Sequence, residues 1–144
     1  DQLRAEGLEM PDLPEAYAAS LREMLPGEAA VGNPIDLLAD AREDRFGPAF
    51  EAAIEHGADA FDAILMIHVV PFMVDASPII DTLATLTEAA PLPCFHSMMG
   101  TLEHQAKWFA KMAAAGVPTF NDSESMAETA GILSQYPKLR AAIG

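Results

Sequence analysis

The chain alternates short, nearly continuous apolar runs with longer stretches in which apolar residues recur every three or four positions. These are the patterns of buried strands and amphipathic helices. Tyr17, Leu21, Met24 and Leu25 follow Pro14 on one helical face, and Pro26-Gly27 closes that helix. Ala29 to Gly32 then reads as a short strand. Glu43 to His56 carries Phe46, Phe50, Ala53 and Ile54 at helical spacing and stops at Gly57. Phe61 to Val70 is almost unbroken apolar sequence, the composition of a central parallel strand covered on both faces.

The second half repeats the alternation. Ser77-Pro78 reads as an N-cap followed by proline at the first helical position, with Ile79, Leu83, Leu86 and Ala90 facing inward. Leu92 to Met98 is the next strand. Thr101 to Ala115 follows as a helix with Leu102, Ala106, Phe109, Ala110 and Ala113 aligned, ended by Gly116. Val117 to Phe120 is the last strand. Asn121, three residues before Glu124, has the form of a capping box for a final helix whose inner stripe is Met126, Ala130 and Leu133. Strands alternating with helices through short loops imply right-handed crossovers and a parallel sheet with helices on both faces. The expected fold is α/β and flavodoxin-like. In such a sheet, ligands meet the loops at the carboxyl ends of the strands, here Asn33 to Asp36, Val70 to Val74, Met99 to Thr101 and Asn121 to Ser123.

Composition narrows the function classes. At 144 residues and 51% apolar, the chain supports one domain over 1–144. Its 22 acids against 8 bases give a net charge of −14, which argues against nucleic acid or an anionic membrane as partner and favours a cytoplasmic protein. The longest apolar stretch, Ala60 to Met73, contains Asp62, His68 and Pro71 and is shorter than the roughly 20 residues of a membrane span. Cys94 has no second cysteine to pair with and sits in an apolar run, as a core residue would.

Candidate chemistry is sparse. No set of His, Cys, Asp or Glu has a metal-ligand spacing; His96 and His104 stand eight residues apart across a strand-loop-helix junction. There is no G-x-S-x-G elbow. His56 precedes Gly57 at a helix end and reads as solvated, His68 and His96 as strand residues of the core, and His104 as a residue near the ligand side. A phosphoacceptor receiver domain needs a lysine after its last strand, and none lies between Lys111 and Lys138. The Ser/Thr/Gly-rich phosphate loop of a flavodoxin is absent as well.

Four segments together carry a resemblance. They are Gly32-Asn33-Pro34-Ile35-Asp36-Leu37 with Asp40-Ala41, then Asp62 to Pro71 (DAILMIHVVP), Pro93 to Gly100 (PCFHSMMG), and Ala113 to Ala130 (AAAGVPTFNDSESMAETA). In this order, from about Val31 to Tyr136, the chain resembles the final domain of the synthetase subunit of ADP-forming acyl-CoA synthetases, relatives of succinyl-CoA synthetase. The resemblance implies a substrate-binding role for Asn33, Pro34, Asp36, Val70, Pro71, Phe72, Met73, Gly100 and Thr101, with Asp36 fixing its loop. It implies no catalytic, metal or cofactor residue in this stretch. The phosphorylated histidine lies on a preceding domain, and CoA, ATP or ADP and Mg2+ bind elsewhere in the parent enzyme. CoA-binding, phosphohistidine and ATP-grasp domains are the implied partners, with a carboxylic acid as substrate. The same module also occurs as a regulatory domain of protein lysine acetyltransferases, which is the alternative reading.

Two further expectations follow from the resemblance. Relatives begin this domain with an additional strand and a Gly-rich loop, so this chain reads as truncated at its N-terminus, with Asp1 to Glu6 as the tail of the helix after that loop. The vacant strand position is expected to be filled either by Ala29 to Gly32 closing onto Phe61 to Val70, or by a strand from another chain or another part of the parent protein. In succinyl-CoA synthetases the loop matching Val70 to Met73 receives a distal carboxylate on backbone N–H groups. Pro71 has no N–H and Phe72 is apolar, so the expected substrate is a monocarboxylic acid, branched and aromatic ones included.

Overall fold

The computed structural model describes residues 2–100 and 103–143. Nine elements run in the order α1 (Gln2–Ala5), α2 (Glu15–Met24), α3 (Glu43–Gly57), β1 (Ile64–Val69), α4 (Ser77–Glu88), β2 (Cys94–Met99), α5 (Gln105–Ala114), β3 (Thr119–Phe120) and α6 (Ser123–Ile143). The three strands form one parallel sheet in the order β1-β2-β3, so each crossover helix joins neighbouring strands. The fold is α/β and flavodoxin-like, as the alternation of elements indicated. No helix among the described residues is long and apolar enough to cross a membrane.

The period of two in the strands divides the core. Met66 from β1 and Val70 just after it, with Cys94 and Met98 from β2, face α3, α4 and α5 and pack against Phe50, Ile79, Ile80, Leu83, Trp108 and Met112. Phe95 and Phe120 point to the other face, where Met126 and Ala130 of α6 cover them, together with Leu8 and Leu65. A third cluster binds α2 to the outer side of α3 through Tyr17, Leu21, Leu25, Ala49 and Ala52. Cys94 lies in the core, and burial pushes its thiol up to about 11.

Several expectations are corrected. Ala29 to Gly32 is not a strand of the sheet: Ala30 makes an isolated antiparallel bridge to Asp36, six residues on, and the segment packs against the α2 cluster through Ala29 and Val31. It does not close onto β1. Consequently β1 is an edge strand among the described residues, rather than a central one. Ile67 and Val69 are 54% and 61% exposed on the face that α6 covers chiefly over β2 and β3. The apolar run reflected burial on one face plus an uncovered second face.

Most helix ends shift by one or two residues, but α5 begins at Gln105 rather than at the expected Thr101, and Thr101 and Leu102 lie outside the described residues. Ala76 is the N-cap residue of α4, with Ser77 and Pro78 inside the helix, and the capping acceptor is Asp75 Oδ1, which takes the Ser77 N–H at 2.9 Å. At α6, Asp122 rather than Asn121 accepts from an amide, that of Ser125 at 2.6 Å. The inward stripe of α5 is Trp108 and Met112, while Ala106, Ala110 and Ala113 are exposed; a Trp buries far more apolar surface than an Ala and sets the helix rotation. Leu133 on α6 is exposed, because the helix has left the sheet by that point.

Candidate functional site

Closure of the β1 and β2 carboxyl ends onto one another depends on Gly100. Val70 N–H donates to the Met99 carbonyl at 2.9 Å, continuing the ladder one residue beyond the strands. Gly100 has φ +125, and a Cβ there would stand 2.6 Å from the Val70 carbonyl oxygen. Only glycine permits that approach. Two of the candidate loops are thereby brought into contact.

The first of these loops, Val70 to Val74, is a tight turn in which Val74 N–H donates to the Pro71 carbonyl at 3.2 Å and Met73 is left-handed, φ 61. Phe72 and Met73 project into solvent at the loop tip. Asp75 closes the loop. Its carboxyl is held below the usual range by hydrogen bonds from the Ser77 side chain and amide, with the charges of His104 and Lys107 adding to the effect. Ser77 Oγ in turn accepts the indole N–H of Trp108 at 2.9 Å, tying the start of α4 to α5. His104 stands edge-on to the Trp108 ring, with centroids 5.9 Å apart. Gln105 donates to the Asn121 side-chain oxygen and links the start of α5 to the loop after β3. The Asp75-Ser77-Trp108 link was missed in the sequence, although Asp-x-Ser before a helix is a recognisable Asx-turn signature.

Of the other candidates, Thr101 lies outside the described residues. Asn33, Pro34 and Asp36 form a separate turn. The Asn33 side-chain N–H donates to the Pro11 carbonyl at 2.9 Å, and Asp36 Oδ1 accepts the Leu38 N–H at 2.9 Å. Ile35 and Leu37 anchor this turn to the α2 cluster, and none of these hydrogen bonds reaches the Val70–Met73 loop. Two surface grooves lie elsewhere: one of about 410 Å³ lined by Glu51, Asp81, Thr82, Thr85 and Leu86, and one of about 450 Å³ along Tyr136, Leu139, Arg140 and Ile143. Among the described residues, no three or more His, Cys, Asp or Glu are grouped so as to hold a metal ion.

The histidines divide by burial. His56 stacks on Tyr17 with centroids 6.0 Å apart. His68 and His96 stack on each other 5.9 Å apart beneath the helix layer, with Phe46 against His68. Burial pushes His68 down to about 4; burial, then the neighbouring His68, pushes His96 down to about 3. Both rings are therefore neutral at neutral pH. Thr119 shares their side of the sheet, and its Oγ1, the His68 Nδ1 and both His96 nitrogens have no hydrogen-bond partner. This is a feature of the buried face of the sheet, 0–4% exposed at the two rings.

No protein-family model matches the chain. A curated relative, the alpha subunit of the ADP-forming acetate–CoA ligase II of Pyrococcus furiosus, is 28% identical over 144 residues, covering 96% of this chain and 30% of its own length. A crystal structure of a protein from Pyrococcus horikoshii OT3 superposes with a TM-score of 0.85 at 25% identity, over 96% of this chain and 32% of that one. The chain is similar to one part of an ADP-forming acetate–CoA ligase subunit. The dinucleotide-forming acetyl-coenzyme A synthetase 1 of Ca. Korarchaeum cryptofilum shares the fold of this chain at TM-score 0.85 and 17% identity, over 98% of this chain and 31% of that one; it has also been solved with phosphate and ADP. The chain spans about a third of the length of these relatives.

Proposed function

We propose that this domain serves a larger cytoplasmic ADP-forming acyl-CoA synthetase that interconverts acyl-CoA, ADP and phosphate with a carboxylic acid, CoA and ATP. In this reading an acyl phosphate forms first, its phosphoryl group passes to a histidine on another domain, and ADP takes it from there, so the step is a covalent relay between sites. CoA, nucleotide and Mg2+ bind to those other domains. The contribution of this domain is one wall of the acyl and phosphate site, built from Val70 to Met73 and Gly100, with Asn33, Pro34, Asp36 and Thr101 as its further elements.

The observation that supports the reading is the closure of the Val70 and Gly100 backbones at the carboxyl ends of β1 and β2, with Phe72 standing free at the rim. Pro71 can donate no hydrogen bond to a second carboxylate, and Phe72 offers it no solvation. The substrate is accordingly a monocarboxylic acid. A second role is an interface with the rest of the synthetase at the outer edge of β1, where Ile67 and Val69 lie uncovered.

Initial rates of the full-length enzyme with acetate, isobutyrate, phenylacetate and succinate test this assignment. A monocarboxylate should exceed succinate by at least about tenfold, the effect of some 1.4 kcal/mol in transition-state binding. Succinate as the best substrate would overturn the substrate assignment, and no CoA-thioester formation from any acid would overturn the ligase reading.

A further inference from the structure

The second half of α6 carries an apolar stripe on the side that faces away from the domain. The helix buries Met126, Ala127, Ala130 and Gly131 against the body, and from Ile132 to Ile143 every residue is exposed. Ile132, Leu133, Tyr136, Leu139 and Ile143 are each more than half exposed. At 3.6 residues per turn, Ile132, Tyr136, Leu139 and Ile143 fall within an arc of about 60°, on the side of the helix opposite the buried residues. The sheet cannot cover them by any small tilt of the helix. A solvent-exposed helix of about a dozen residues is marginal alone, and Pro137 removes one of its hydrogen bonds.

We propose that this stripe is a self-association surface, on which α6 of a second copy packs antiparallel. Three observations select that occupant. The spacing of four, three and four residues is that of a helix-pair seam, and it reads the same in both directions. An antiparallel two-fold axis between Pro137 and Lys138 sets Ile132 opposite Ile143 and Tyr136 opposite Leu139, in both copies at once, as an isologous contact requires. Of the two cations on this part of the helix, Lys138 lies about 130° round from the centre of the stripe, away from the contact, and Arg140 flanks it.

Charge points to the same surface. A chain of net charge −14 repels its own copies, but Thr129 to Ile143 contains Lys138 and Arg140 and no carboxylate. Two acidic molecules meet there with little local opposition. The size of the contact sets its strength. Five half-exposed side chains on each copy amount to roughly 900 Å² in total, below the ~1,200 Å² of a standard interface. The dimer is thus reversible and dependent on concentration. The inference rests on α6 alone and is independent of the ligase reading.

Sedimentation velocity on the 144-residue chain from about 5 μM to about 1 mM should show monomer converting to dimer across that range. Tyr136→Glu and Leu139→Glu should each move the midpoint up by about tenfold or more, with unchanged circular dichroism, whereas Ile67→Lys on the β1 edge should leave it in place. Under mild oxidation, a mixture of Tyr136→Cys and Leu139→Cys chains should form an intermolecular disulfide that neither forms alone; the native Cys94 is buried. The proposal is overturned by a monomer throughout the range, by a dimer insensitive to both Glu variants or lost on Ile67→Lys, or by a cross-link in Tyr136→Cys alone, which would mean parallel pairing.

Discussion

At the scale of single residues, His68 and His96 make stability depend on pH. Both have folded pKa values lowered from 6.5, to about 4 and about 3, chiefly by burial. Below pH 6.5 the unfolded chain takes up protons that the folded chain refuses. Stability is therefore fully present above about pH 6.5 and falls as pH drops towards 4, by up to about 1.4 kcal/mol per pH unit for each ring. Urea unfolding at pH 7 and pH 5 should differ by roughly 2–4 kcal/mol, and His68→Leu should flatten the dependence by about half. An unchanged midpoint between the two pH values would show that the rings are accessible to protons in the folded state. Gly100 gives a second expectation. Ala at this position meets the Val70 carbonyl oxygen at 2.6 Å and a disfavoured φ, and should cost about 2–4 kcal/mol in thermal unfolding. Gly116→Ala, also at positive φ but with nothing within 4 Å, should cost only about 1 kcal/mol.

Among the elements, β1 is the one whose surroundings differ most from its sequence. Ile64 N–H donates to the Pro93 carbonyl and Val70 N–H to that of Met99, so the even-numbered residues of β1 turn their backbone groups to β2. Leu65, Ile67 and Val69 turn theirs to the open edge. Amide exchange followed by NMR should be faster at these three than at Met66 and His68, and equal protection of both sets would mean that the edge is paired in solution. The existence and type of α2 to α6 and of all three strands were legible in the sequence, because each has a clear period and a terminating Gly or Pro. An unfilled position beside β1 was an expectation of the family resemblance alone, not of any apolar pattern in the chain. That Ala29 to Gly32 stays off β1 was not legible, because a four-residue apolar segment pairs as readily with its own turn at Asp36 as with a distant strand. Of the candidate site, the contact between the Val70 and Gly100 loops follows from strand order. The distance of Asn33 and Asp36 from it depends on α2 drawing Ile35 and Leu37 outward, which periodicity does not reveal.

For the whole molecule, the first expectation is inactivity in isolation. His68 and His96 are buried, and the P. furiosus relative has more than three times the length of this chain. Incubation of residues 1–144 with ATP, CoA and an acyl acid should yield neither acyl-CoA nor phosphohistidine, and a stable phosphohistidine detected by mass spectrometry would overturn the assignment of roles among domains. The open edge of β1 has a different consequence for handling the protein. Leu65 to Val70 is a six-residue window with high β-propensity, no Pro, no Gly and no charge at neutral pH, which is the signature of a segment able to stack into cross-β fibrils. Long-range repulsion from 22 carboxylates should keep neutral solutions clear. Near pH 4.4, where the net charge vanishes, that repulsion is gone while the core histidines are weakening the fold, so acidification both opens the chain and removes what keeps its copies apart. Mildly acidic buffer is then the condition under which this otherwise highly charged protein should aggregate most readily, with the protonated His68 of the opened chain as the one charge inside the window that opposes stacking.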